Sequence, residues 1–142
     1  MSGRIPDPPD NQLTHAVIGA AIEVHRHLGP GLLESIYEDC LCHELQLRRI
    51  AYRRQFPVSI TYKGMSPSGS LRLDIMVEDR LVLEIKSVER LEAIHEQQLL
   101  TYLRLTSCEL GLLLNFNSGS LKGGLRRVRN FRSGDREAAE TA

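Results

Sequence analysis

The sequence has little that would tie it to a special environment. Neither charge is in surplus: 18 Lys and Arg face 18 Asp and Glu, a formal net charge of +0. That balance argues against a general polyanion binder, which draws on a net positive field. No stretch approaches the roughly 20 apolar residues of a membrane span, and the opening MSGRIPDPPDNQ lacks the apolar core of a signal peptide. A cytoplasmic protein with no membrane partner is expected. Cysteines number only three, Cys40, Cys42 and Cys108; an odd count without a secretory mark implies reduced thiols. Cys40 and Cys42 precede His43, but residues two apart on a helix point in different directions and no second such group follows. Small buried hydrophobes are the better reading. Repeats and low-complexity tracts are absent.

What is present is an ordinary globular composition. The 142 residues are 42% hydrophobic and 25% charged, enough for one domain with a sizeable core and no need of disulfides. The Pro-rich residues 1–10 are expected to be disordered, the domain to occupy 11–131, and 132–142 to form a flexible tail. Charge is balanced overall but segregated. Arg48, Arg49, Arg53 and Arg54 form one acid-free cluster, and Lys122, Arg126, Arg127, Arg129 and Arg132 another. Such clusters are solvated surface or a track for phosphates.

Periodicity gives the elements. Leu13, Val17, Ala20, Ala21, Val24 and Leu28 recur at helical spacing after an Asp10 or Asn11 cap, and Gly29-Pro30-Gly31 ends the run. A second helix is expected from Leu33 to Arg49, with Glu34, Tyr37 and Leu41 on one stripe, so that a carboxylate shares a face with residues that should be buried. Glu38 beside the stripe leaves open that this face is a half-exposed edge. Ala51 to Gly64 reads as a strand through the alternation of Phe56, Val58, Ile60 and Tyr62, and its Pro57 indicates an edge position or a bulge. A turn at Ser66 to Ser70 follows. Leu91 to Thr106 is a third helix with His95, Gln98 and Tyr102 along one stripe, either satisfied core residues or a functional face. ELGLLLNF, residues 109–116, is nearly continuous hydrophobe, as a strand covered on both faces should be. The strand–helix–strand order makes it parallel to the strand before it, and Leu125 to Asn130 offers a last edge strand. The fold expected is mixed α/β, in the order ααβββαβ(β), with helices on both faces of a small sheet.

The centre of the chain is Leu71 to Val88, LRLDIMVEDRLVLEIKSV. Leu71, Leu73, Ile75 and Val77 alternate, then Leu81, Leu83 and Ile85, with Glu78, Asp79 and Arg80 as a polar tip: a hairpin. If Val77 faces Leu81, Asp74 lies opposite Glu84 and Arg72 opposite Lys86 on one face, leaving the other wholly aliphatic. A two-residue turn would instead send the two acids to opposite faces. Opposed like charges about 5 Å apart repel, and a divalent cation would offset that cost, since Mg²⁺ often uses only one or two protein carboxylates. Lys86, two residues beyond Glu84, emerges beside it. The alternative is a plain polar solvent face.

These residues resemble the GxxExxY proteins, small members of the PD-(D/E)XK nuclease superfamily. The motif stands as Gly31-Leu32-Leu33-Glu34-Ser35-Ile36-Tyr37 after EVHRHLGPG, followed in order by YKG at Tyr62 to Gly64, RLDIMVEDRLVLEIKSVERL, HEQQLLTYLRLT and GLLLNF. The similarity spans roughly residues 13–130. It implies a restriction-endonuclease-like core and a site made of Asp74, Glu84 and Lys86, completed by Glu34 on a helix. Leu73 stands where the superfamily's name has proline. Gln98-x-x-x-Tyr102 is similar to the helix motif of the RecB-like branch that helps to hold nucleic acid. On this resemblance the expectation is an Mg²⁺- or Mn²⁺-dependent nuclease acting on nucleic acid, DNA in preference to RNA. Asp74, Glu84 and the backbone carbonyl of Ile85 would hold the metal, with Glu34 completing the catalytic site by holding a metal-bound water or a second ion, Lys86 as catalytic cation, and Gln98, Tyr102 and His95 binding substrate. Two other readings stand beside it: a non-catalytic module of the same fold that binds nucleic acid or protein, and a homodimer built on the Leu-rich edge.

Overall fold

The computed structural model describes residues 9–131. Its elements run α1 (Pro9–Leu28), α2 (Glu34–Leu47), β1 (Tyr52–Val58), β2 (Leu71–Val77), β3 (Leu81–Lys86), α3 (Ala93–Thr106), β4 (Leu110–Asn115) and β5 (Leu125–Arg129), with one 3₁₀ turn at Lys122–Gly124. This is the expected order, with the last strand present. The ends expected to be disordered lie outside the described residues, apart from Pro9 and Asp10, which are helical. The expected cap at Asp10 or Asn11 is therefore displaced: both lie inside the first turn, which opens on a proline whose missing N–H costs nothing there.

The sheet has five strands in the order β1-β2-β3-β4-β5. β3 and β4 are parallel, as the connecting helix requires, and the other neighbours antiparallel. One core lies under α1 and α2, built from Val17, Ala21, Tyr37, Leu41, Leu83, Ile85 and Leu112 among others. A second lies under α3, with Leu73, Met76, Val82, Leu99, Leu103 and Leu113. β4 is buried along its whole length, as its unbroken apolar run predicts, and Gly111 lets α3 approach: a Cβ there would sit 2.7 Å from Leu99 Cδ1.

The loop between α1 and α2 explains the glycine-rich motif. Gly29 and Gly31 have φ of +69° and +101°, a region open to residues without a Cβ. The Gly29 N–H closes α1 on the His25 carbonyl at 2.8 Å. Tyr37, buried and stacked on Phe116 with ring centroids 4.7 Å apart, donates its hydroxyl to the Gly29 carbonyl at 2.6 Å and accepts the Leu32 N–H at 3.1 Å. One side chain thus pins the loop that delivers Glu34 as the first residue of α2.

Two expectations about strands need correction. β1 ends at Val58 because its partner begins at Leu71, opposite that residue. Ile60 and Tyr62 are consequently exposed, and Tyr62 pairs only with Met65 in a tight turn. Pro57 does sit on an edge strand. The hairpin has the expected register, Val77 opposite Leu81 and Ile75 opposite Leu83, but its second face is not a single aliphatic surface. Ile75 and Val77 pack under α1 and α2, whereas Leu71 and Leu73 pack under α3. Both strands β1 and β2 turn over at the row of Gln55 and Asp74.

Glycines in the β4–β5 connection give a check on this packing. A Cβ on Gly124 would stand 2.3 Å from the Asn115 carbonyl, whereas Gly119 has open space around it. Gly124→Ala is expected to cost about 1–3 kcal/mol in urea unfolding, and Gly119→Ala less than about 0.5 kcal/mol.

Candidate active site

The β2–β3 ladder stops at Ile75 and Leu83, and in the next row carboxylates replace backbone carbonyls as acceptors. The Asp74 N–H donates to Glu84 Oε1 at 3.0 Å, and the Ile85 N–H donates to Asp74 Oδ2 at 2.8 Å. The reciprocal pair holds two acids side by side, as the hairpin register predicts. Arg72 and Lys86, by contrast, are not paired: Arg72 lies across from Pro57 and Lys86 across from Asn115, because the strands have already separated. The polar face is also no solvent face. Met76, Val82 and Glu84 are buried on it, Glu84 at 5% exposure.

Burial dominates the electrostatics. It pushes the Asp74 carboxyl up, opposed by the Ile85 N–H and by Lys86, with Glu34 adding to the rise. Glu84 is pushed up to about 8, first by burial and then by the Asp74 charge beside it, while the Asp74 N–H and Lys86 pull it back. Glu34 and Lys86 thus act on the pair through space. Tyr102, 4% exposed on α3, has its hydroxyl pKa raised by burial and then by the charges of Glu84 and Asp74; Gln98 donates to its hydroxyl at 3.4 Å.

The other expected residues divide. Glu34 is exposed at the start of α2, near enough to feel Asp74 but not gathered with the pair: among the described residues no three His, Cys, Asp or Glu side chains form a group able to hold a metal. His95 has a structural engagement. Its Nδ1 accepts the Glu92 N–H at 2.9 Å, and Glu92 in return caps the N–H of His95, a capping box that starts α3. Three of the four arginines of the first cluster are held by acids. Arg48 pairs with Glu44, Arg53 with Asp79, and Arg54 with Glu38 and Asp39. Of the cysteines, Cys42 and Cys108 are buried and Cys40 half-buried. Burial pushes the Cys42 thiol up to about 12, so it is an inert hydrophobe.

Three residues near the site carry no periodic signal in the sequence. Glu38 is 8% exposed and is held by Arg54 at 2.7 Å and by the Gln55 amide at 3.0 Å. Gln55 lies across from Asp74 and pulls its carboxyl back down. Asn115, buried at the end of β4, accepts the Val88 N–H at 3.0 Å and donates to the Val88 carbonyl at 2.9 Å, clipping the segment that follows Lys86. Its one visible signal is a polar residue closing an apolar run. The cavity of about 280 Å³ lined by Leu13, Asp79, Arg80, Cys108 and Arg129 lies at the opposite, hairpin-tip end of the sheet.

The model of the PD-(D/E)XK nuclease superfamily matches residues 11–128, and the chain belongs to this superfamily. No curated protein matches it. Among solved structures it is similar to the one described as "Crystal structure of SSO0001", with a TM-score of 0.54 and 23% identity over 75% of this chain and 55% of that one. The chain thus spans about half the length of that protein, and the likeness is one of fold.

The raised Glu84 carboxyl has a consequence for stability. Its folded pKa, about 8, exceeds the ordinary 4.5, so the folded state holds the proton more tightly. That stabilisation is fully present below the ordinary value and is lost as pH climbs to about 8. In EDTA, the urea midpoint of the protein is expected to fall from pH 5 to pH 8, and Glu84→Gln to flatten the fall.

Proposed function

We propose that the protein is an Mg²⁺- or Mn²⁺-dependent nuclease that hydrolyses phosphodiester bonds. The observation that carries this reading is the pair of adjacent, largely buried carboxylates interlocked by backbone N–H groups. Neither takes part in the ion pairs that consume Glu38, Asp39, Glu44 and Asp79. Buried acids with raised pKa values and no arginine partner form a concentration of hard oxygen donors that a divalent cation fits. Asp74 and Glu84, with the carbonyl of Ile85, the residue after Glu84, would hold it.

A bound divalent cation supplies neutralisation of phosphate charge and a lowered pKa for water at the site. The remaining work falls to side chains. Lys86, which already stabilises both acids through space, presents its ammonium to the negative charge that develops on the phosphoryl oxygens. Tyr102, kept protonated by burial and by the neighbouring carboxylates, donates a hydrogen bond, and Gln98 orients its hydroxyl. Glu34, exposed at the head of α2, would hold a water molecule or a second ion at the edge of the site. His95 adds to the substrate side only through the ring nitrogen not used in the cap.

The Gly31 to Tyr37 motif supports a place among the GxxExxY proteins, and the Gln98–Tyr102 pair supports the RecB-like branch. DNA is the favoured substrate and the cytoplasm the favoured location. Incubating the protein with supercoiled plasmid and labelled single strands of DNA and RNA, in Mg²⁺, Mn²⁺ or EDTA, tests the reading. Cleavage is expected only with the cations, and Asp74→Asn and Lys86→Ala should each slow it by roughly 10²- to 10³-fold. Retarded mobility of the strands without cleavage in any cation would instead favour a non-catalytic binding module. In calorimetry, Mn²⁺ should bind wild type and fail to bind Asp74→Ala; equal binding removes the metal assignment.

A further inference from the structure

Gln55 stands in the middle of β1 with φ of +48°, a left-handed backbone that residues bearing a Cβ rarely adopt outside turns. It is not in a turn. On either side Arg54 faces Ile75 and Phe56 faces Leu73 in one continuous register, which sets Gln55 across from Asp74. A regular strand keeps residues two apart on one face. Here Tyr52, Ile75 and Val77 pack under α1 and α2, while Phe56, Val58, Leu71 and Leu73 pack under α3. The reversal is confined to the row of Gln55 and Asp74.

The side chains show what this row joins. Gln55 Nε2 donates to Glu38 Oε1 at 3.0 Å, and Arg54 holds the other Glu38 oxygen at 2.7 and 3.2 Å. The same residue faces the Asp74 carboxylate across the row, set there by the flanking pairs of the register, and lowers its proton affinity; the Asp74 Oδ2 is already fixed by the Ile85 N–H. An amide nitrogen carries two hydrogens, and both neighbours are acceptors, so the network fixes the amide's orientation.

We infer that Gln55 is a positioning residue for the acid pair, anchoring Asp74 to the Glu38–Arg54 ion pair of α2 so that its carboxylate is aimed before any cation arrives. The left-handed backbone is the means. It swings the Gln55 side chain out of the strand's alternation and towards α2, and the reversal in β2 turns Asp74 to meet it. This rests on the reading of Asp74 and Glu84 as cation ligands. Groups that orient ligands in this way typically change metal affinity by about 10- to 100-fold.

Gln55 is exposed at the sheet edge, so removing its side chain opens no cavity, and glycine accepts its φ without strain. Gln55→Gly should therefore match or exceed wild type in thermal midpoint, yet bind Mn²⁺ at least about 10-fold more weakly in calorimetry. Gln55→Met, which keeps the bulk but lacks the donor, should lose affinity equally. Wild-type affinity in Gln55→Gly overturns the inference. A second measurement in EDTA is independent of the cation: urea midpoints of Gln55→Met, Asp74→Ala and the double variant should be non-additive. Should wild type bind no Mn²⁺, the cation reading fails by itself and this cycle alone decides the positioning role, additive midpoints overturning it.

Discussion

Two hydrogen bonds govern the centre of this molecule, from the Asp74 N–H to the Glu84 carboxylate and from the Ile85 N–H to the Asp74 carboxylate. They take the place of the next rung of a β ladder. A ladder rung would satisfy the same donors with carbonyls at no electrostatic cost. Using carboxylates instead brings like charges together in a dehydrated place, where each is costly to ionise. The backbone N–H groups and Lys86 recover part of that cost. The remainder leaves an affinity for positive charge.

The surrounding structure keeps this arrangement from relaxing. Cores on both faces of the sheet clamp β2 and β3, so the acids cannot escape to solvent by bending the hairpin. The Tyr37 hydroxyl closes the loop ahead of α2, and Ser87 ties that loop to the end of β3 by donating to the Leu32 carbonyl at 2.6 Å. Asn115 fixes the chain beyond Lys86. Residues that look unrelated in sequence thus brace the same end of the sheet.

The balance of charge also acquires a meaning. Arg48, just past the end of α2, and Arg53 and Arg54 of β1 are spent on acids of α2 and the hairpin tip, which stiffens the sheet edge. The arginines of β5 are exposed on the far edge, and Arg126 bonds to the backbone carbonyls of Gly123 and Leu125. Positive charge is distributed by strand position, and the overall zero conceals it.

Much of this was legible in the order of residues. Alternation at Leu71 to Ile85 determined a hairpin and the apolar run of β4 required cover on both faces, while of the two turns the sequence allowed the structure has the three-residue one, which sets Asp74 beside Glu84. Gly29-Pro30-Gly31 marked the end of α1, and the spacing of Tyr37 and Leu41 the buried stripe of α2. Such features are local, because period and turn chemistry act over a few residues. The face reversal at Gln55, the bridge from Glu38 to Arg54 and the pairing of Arg53 with Asp79 were decided only by tertiary structure. Each depends on which distant side chain arrives within about 3 Å, and no periodicity in a single chain encodes that meeting.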